Sequence, residues 1–290
     1  MDDQIKAGVI GLGAMGAPMA RHLADAGLLG MVWNRTSSKA EALAQETGTE
    51  AADTPAQLAS ACNVILTCVS ADHDLLDVVG QLLPGIKSGS VVVDTSTVSP
   101  ATARQVSASL HEAGAGLVDA PVSGGVEGAQ KGTLSVMAGG DSANISRIMP
   151  VLEAISASIT HMGPVGSGQA TKAVNQVMIA GIAEAVCEAL ALSEKLNLPS
   201  ERLLSVVGAG AAGSWFLGHR GQTMLEDRFD VGFKLSLLLK DLLICQTLAQ
   251  ELDISLPTVE AAINDYRKLV ELGDGDHDIS GLIRLKRGQD

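Results

Sequence analysis

Aromatic side chains are scarce in this 290-residue sequence: two Trp, one Tyr and three Phe, or 2% of the chain. A surface that stacks the bases of single-stranded nucleic acid needs more of them. Basic charge is also in deficit, with 20 Lys and Arg against 33 Asp and Glu and a net charge of −13. Nucleic acid and anionic membranes both require a basic field, so neither is expected as a partner, and an anionic ligand would need a locally arranged site. The four cysteines, Cys62, Cys68, Cys187 and Cys245, form no C-x-x-C pair and sit in apolar contexts. They read as buried thiols in a reducing compartment. The six histidines share no ligand spacing, and no metal site is expected. The start MDDQIKAGVIGLG lacks the basic opening and small-residue cleavage site of a signal peptide, which gives a cytoplasmic reading. The longest apolar tract, Ala173 to Leu192, is broken by Asn175, Gln176, Glu184 and Glu188. It reads as too polar for a bilayer span and as a soluble core helix.

What is present is core material: 46% of the residues are hydrophobic, enough to fold without staples. Up to residue 162, short β-branched runs (KAGVIG, MVWN, NVILTCV, SVVVD, then GLVDAPV and TLSVMAG) alternate with helical stretches at Met15 to Asp25, Ser38 to Glu46, Thr54 to Ala61 and Pro100 to Ala113. That order predicts right-handed crossovers and a doubly wound parallel sheet covered on both faces, an α/β domain over residues 1–162. From residue 163 to 290 helical periodicity takes over, through Ala170 to Lys195, Ser200 to Gly208, Leu235 to Leu252 and Thr258 to Leu272. This predicts an all-helical second domain entered by a long connecting helix, with breaks at Asn197, Pro199 and Gly221. Asp274 to Asp278 lacks a calcium-ligand pattern and reads as a solvated turn, and the tail as a short helix with a loose end.

Four motifs carry chemistry. GLGAMG, comprising Gly11, Leu12, Gly13, Ala14, Met15 and Gly16, sits between the first strand and the first helix. There the glycines permit a tight turn, close approach of a pyrophosphate and close helix packing, which points to dinucleotide binding; the alternative is packing alone. At the end of the second strand, where a carboxylate would favour NAD, stand Asn34, Arg35 and Thr36. A guanidinium there attracts a 2′-phosphate, so NADP is favoured, with NAD possible; a solvated loop arginine is the plain alternative. Ser123, Gly124 and Gly125 form a turn whose amides and hydroxyl suit a carboxylate, or are simply a glycine-rich turn. In GPVGSGQATKAVNQ, Lys172 and Asn175 open a long apolar helix. An ammonium in a first turn is disfavoured by the helix dipole, so Lys172 is either a surface residue or a tuned acid/base.

Taken in order, Gly11 to Gly16, DAPVSGG at Asp119 to Gly125, the G-x-x-G-x-G-x-x-x-K-x-x-N spacing from Gly163 to Asn175, and KDL at Lys240 to Leu242 resemble the β-hydroxyacid dehydrogenase family over essentially the whole chain. That family includes 3-hydroxyisobutyrate dehydrogenase, tartronate semialdehyde reductase and glyoxylate/succinic semialdehyde reductase. The resemblance implies a Rossmann-like domain and a helical domain, with Lys172 as catalytic acid/base and Asn175 helping to hold the substrate. It further implies that Ser123, Gly124 and Gly125 grip a substrate carboxylate. Thr97, Val69 and Ser70 are implied to border the cofactor, and Lys240 to lie by its nicotinamide end. Members usually form homodimers or homotetramers. The resulting expectation is reversible hydride transfer between NADP and a small 3-hydroxy acid or its semialdehyde. An imine reductase, which generally lacks such a lysine, and a non-catalytic NADP-binding module are the rival readings.

Overall fold

A computed structural model of the chain describes residues 4–230 and 232–288. Packing divides it into two compact units, Met1–Lys172 and Ala173–Asp290. The first unit alternates β1 (Ala7–Ile10), α1 (Gly16–Asp25), β2 (Leu29–Trp33), α2 (Ser37–Thr47), β3 (Glu50–Ala51), α3 (Pro55–Ala61), β4 (Val64–Thr67), α4 (Asp72–Leu82), β5 (Val91–Asp94), α5 (Pro100–Glu112) and β6 (Gly116–Asp119). These six strands pair in parallel in the order β3-β2-β1-β4-β5-β6. The chain continues through β7 (Val122–Ser123), α6 (Gly125–Lys131), β8 (Leu134–Gly140), α7 (Ser142–Ile155) and β9 (Ser156–Gly163).

The sheet is not wholly parallel. β8 runs antiparallel to both β6 and β7, and β9 lies parallel to β8. Residues 124–133, which hold only the short helix α6, are fewer than the dozen or more that a parallel crossover needs, so the chain returns antiparallel. Along the central strands every residue is buried, and successive side chains feed opposite faces. Val9, Val64, Leu66, Val91 and Val93 join Met19 and Leu23 of α1 and Ile148 and Leu152 of α7 on one face. Ile10, Ile65 and Val92 join Leu58, Leu75, Leu82 and Leu110 of α3, α4 and α5 on the other. Each such side chain taken out of water stabilises the fold by roughly 1.5–3 kcal/mol.

The long helix α8 (Ser167–Lys195) begins in the first unit and contributes Ala180, Ala183, Cys187 and Leu190 to the core of the second. Its length and composition alone would let it cross a bilayer, despite the polar interruptions. Half of its most apolar stretch is buried inside the protein, as a core helix requires. The second unit adds α9 (Ser200–Gly208), α10 (Trp215–Leu225), α11 (Leu235–Glu251), α12 (Pro257–Glu271) and α13 (Ile283–Lys286).

Three expectations change here. Gly221 does not break a helix: it lies inside α10, where a Cβ would come within 2.7 Å of Leu204 Cδ2, so the glycine serves close packing of α10 on α9. Asp278 is not in a solvated turn. It is 2% exposed, accepts hydrogen bonds from Phe233 N, Ser280 N and Ser280 Oγ, and pairs with Arg220. Nor is the tail loose as far as Arg287. Lys286 Nζ lies 2.5 Å from Glu184, 2.6 Å from Asp265 and 3.3 Å from Glu188, and Arg287 holds Glu194 at 2.6 Å.

Candidate functional site

The three glycines after β1 are constrained in three ways. Gly11 has φ +92° and a Cβ there would sit 2.2 Å from the Cys68 carbonyl oxygen; at Gly16 it would sit 1.8 Å from the Gly11 carbonyl oxygen. These two fix the turn and the seat of α1. At Gly13 a Cβ would meet nothing within 4 Å, so that residue keeps a side chain out of the space over the start of α1. Leu12 is buried, whereas Gly13 and Ala14 are exposed, and Met15 opens the helix with no side-chain cap. An uncapped helix start beneath a loop kept bare at Gly13 fits a pyrophosphate.

At the end of β2 the side chain of Asn34 braces that loop. Its Oδ1 accepts from Leu12 N at 2.9 Å and its Nδ2 donates to Thr36 O at 3.1 Å. Asn34 therefore braces the loop's own geometry through its Oδ1 and one of its two Nδ2 hydrogens. Arg35 projects outward, its side chain 88% exposed and 3.3 Å from Asp74, with Thr36 exposed beside it.

The ends of β4 and β5 meet over a buried carboxylate. Asp94, 1% exposed, accepts through Oδ1 from Thr67 Oγ1 and Ser96 Oγ, both at 2.7 Å, and from Ser96 N at 3.3 Å. Its Oδ2 has no hydrogen-bond partner among the described residues. Burial pushes this carboxyl up to about 6, against the lowering effect of the Ser96 and Thr67 hydrogen bonds. Ser96 Oγ also accepts from Val69 N at 2.9 Å, tying the loop with Val69 and Ser70 to the loop with Thr97.

Asp119, at the end of β6, performs a different task. Its Oδ1 accepts from Gly166 N at 2.8 Å and its Oδ2 from Gln169 N at 2.9 Å, so a strand residue some fifty positions away caps the start of α8. Burial pushes Asp119 up to about 6, against these amides. Beyond it, β7 delivers Ser123, then Gly124 and Gly125 at φ +129° and +63° open α6. Lys172 is 7% exposed, and its Nζ donates to Val122 O at 3.0 Å. It is not a first-turn residue, because α8 starts at Ser167; the dipole penalty expected from the sequence is correspondingly weaker, since it fades beyond the first turn.

In the second unit Asn175 Nδ2 donates to Gln176 Oε1 at 2.8 Å, and Gln176 Nε2 donates to Asp241 Oδ2 at 2.7 Å. Lys240 Nζ lies 2.8 Å from Asp241 Oδ1. Asn175 and Lys240 are thus joined through two buried residues. Among the described residues no group of three His, Cys, Asp or Glu side chains could hold a metal ion.

Residues 6–163 match the family described as the NAD binding domain of 6-phosphogluconate dehydrogenase, and residues 166–286 that described as NAD-binding of NADP-dependent 3-hydroxyisobutyrate dehydrogenase. The chain belongs to the β-hydroxyacid dehydrogenase family. An uncharacterized oxidoreductase of Shewanella frigidimarina is 38% identical over 98% of this chain and 99% of its own. The 2-hydroxy-3-oxopropionate reductase of Escherichia coli is 34% identical over 97% and 96%. The structure of Mycobacterium tuberculosis 3-hydroxyisobutyrate dehydrogenase with L-serine superposes with a TM-score of 0.88 at 29% identity, covering 98% of this chain and 99% of that one. This β-hydroxyacid dehydrogenase is an oxidoreductase with the Rossmann domain and helical domain of its family, and it binds a nicotinamide dinucleotide.

Sequence reasoning missed Asp94, Gln169 and Gln176 as polar residues of these regions. Asp119 and Asp241 were visible only as parts of DAPVSGG and KDL. The one signal available was an acid or amide inside an apolar run, as in VVVD and LLLKDLL, which forecasts a buried and therefore partnered group.

Proposed function

We propose that this enzyme interconverts a small 3-hydroxy acid and its semialdehyde, prefers NADP, and uses Lys172 as the general acid/base. The observation that carries the reading is the 3.0 Å bond from Lys172 Nζ to Val122 O. It ties the only chemistry-bearing cation of the G-x-x-G-x-G-x-x-x-K-x-x-N segment to the strand that delivers Ser123.

In this reading the Ser123 hydroxyl and the amides of Gly124 and Gly125 hold the substrate carboxylate, which fixes the direction in which the carbonyl points. The nicotinamide, when bound, supplies or accepts the hydride. Lys172 gives a proton to the oxygen as it becomes an alkoxide and takes it back in the reverse direction. Asn175, three residues on in α8, helps to hold the same substrate. The pyrophosphate rests on the Gly11–Gly16 loop, and Arg35 attracts the 2′-phosphate. Two relatives support the substrate class, one named for 2-hydroxy-3-oxopropionate, a semialdehyde, and one solved with L-serine, a 3-hydroxy acid, both three-carbon carboxylates. We further infer a cytoplasmic homo-oligomer; the four cysteines form no disulfide, as expected of a reducing compartment.

The test is Lys172→Ala. Turnover should fall by roughly 10²–10⁴-fold, while NADPH binding, read by fluorescence, stays within about twofold. Turnover close to wild type refutes the assignment. Substrate choice follows from screening glyoxylate and the succinic, tartronate and methylmalonate semialdehydes with NADPH and with NADH, alongside a cyclic imine.

A further inference from the structure

Gln169 is an unusual residue for the first turn of a helix. It is 1% exposed, and a buried carboxamide must find partners for its donors and its acceptor. It finds them on one short stretch. Nε2 donates to Ser96 O at 2.8 Å and Oε1 accepts from Val98 N at 3.2 Å. The carbonyl and amide that flank Thr97 are therefore both held by one planar group, in the manner of a neighbouring strand. The same stretch is fixed from below by Asp94 through Ser96, and Ser96 in turn holds Val69 N.

The helix turn itself cannot back away. Gln169 N is held by Asp119, and at Gly168 a Cβ would lie 2.3 Å from Met137 O and 2.4 Å from Asp119 O, so backbone presses on backbone there. Lys172 follows three residues later on the same helix, its Nζ on Val122 O. An apolar side chain at position 169 would fill the same space. It would leave Ser96 O and Val98 N unpaired and the Thr97 loop free to shift relative to α8.

We propose that Gln169 is the positioning residue that sets the reach of Lys172, by clamping the first turn of α8 to the loop that carries Thr97. This rests on Lys172 being the acid/base. Gln169 does not touch the reacting atoms; it acts by holding the distance between the ammonium and the cofactor-bordering loop. A misplacement of about 1 Å costs on the order of a hundredfold in rate.

Two substitutions test it in the full-length enzyme. Gln169→Met keeps length and bulk and removes both hydrogen bonds: kcat should fall about 10- to 100-fold, with NADPH affinity by fluorescence within about twofold and faster amide exchange at Val98. Gln169→Glu is the conservative rescue. Its carboxylate opposes Ser96 O, whereas its protonated form donates to Ser96 O and accepts from Val98 N as the amide does. The ratio of its kcat to wild type should therefore climb as pH falls. The ratio is the right quantity because the neighbouring Asp94 and Asp119, each at about 6, titrate in both proteins. Wild-type kcat in Gln169→Met overturns the proposal. So does a parallel loss of kcat, NADPH affinity and thermal midpoint, which marks a merely structural role, or a Gln169→Glu ratio flat in pH. Lys172→Ala, run alongside, separates the two ideas. Retained turnover there removes the acid/base reading and this proposal together, whereas collapse there with normal Gln169→Met removes this proposal alone.

Discussion

Replacing Asp94 by Asn probes the buried carboxyl at the end of β5. The carboxyl is neutral up to about pH 6 in the folded protein, against an ordinary 3.8, because burial opposes its charge. At roughly 1.4 kcal/mol per pH unit, ionising it in place costs on the order of 3 kcal/mol relative to the unfolded chain. The sign is set by proton counts. Between 3.8 and about 6 the folded state binds the proton and the unfolded state has lost it, so stability falls with rising pH through that window. The contribution is whole below 3.8 and gone above about 6. Asn keeps an acceptor for Thr67 Oγ1, Ser96 Oγ and Ser96 N, and puts an amide where Oδ2 has no partner among the described residues. That unpaired amide costs about 1–3 kcal/mol at every pH. Urea unfolding of both proteins across a pH series isolates the carboxyl, since all other groups are shared. Wild type minus variant should rise by about 2 kcal/mol from about pH 7.5 to about pH 4.5. Near neutral pH, Asp94→Asn should be no less stable than wild type. Parallel pH curves for the two proteins would refute the reasoning.

Other outcomes follow from the same geometry. Gly13→Ala should leave the thermal midpoint unchanged yet weaken NADPH binding more than tenfold, roughly the effect of 1.4 kcal/mol. Gly11→Ala should cost about 2–5 kcal/mol of stability, because it combines a positive φ with a backbone clash against Cys68. Arg35→Ala should raise the KM for NADPH about tenfold and leave that for NADH within about twofold, measured by steady-state kinetics. Lys286→Met strips the shared cation from Glu184, Glu188 and Asp265. It should destabilise the helical unit by about 3 kcal/mol, read as faster amide exchange in α12.

Much of the first unit was legible because its strands are short β-branched runs between amphipathic helices. Some elements were not. In α4, Leu75, Val78, Val79 and Leu82 fall at helical spacing and are buried, but the sequence reading there stops at Val69 and Ser70, ahead of the helix. Helix α7 carries Pro150 in its interior, where a proline ordinarily argues against a helix. Strand β9 is mostly exposed and shows no clean alternation, so it carries no period-2 signal. Of the candidate site, the glycine loop and the Lys172 segment could be read because their physics is local. The capping of α8 by Asp119 and the clamp of Gln169 on Ser96 and Val98 join residues about 50 and 70 positions apart. Nothing local in the sequence announces such pairs.

The bond from Thr67 Oγ1 to Asp94 Oδ1 bears on how the sheet assembles. β4 reads VILT and β5 reads VVVD, and both are buried on each face. A slip of β5 along β4 by one place or two would exchange one valine for another, and solvent exposure would barely report the error. Thr67 and Asp94 are opposite each other in the native alignment. Any slip would strand the Thr67 hydroxyl in hydrocarbon and leave Asp94 with Ser96 alone, so one polar pair gives two otherwise interchangeable ribbons a single correct alignment.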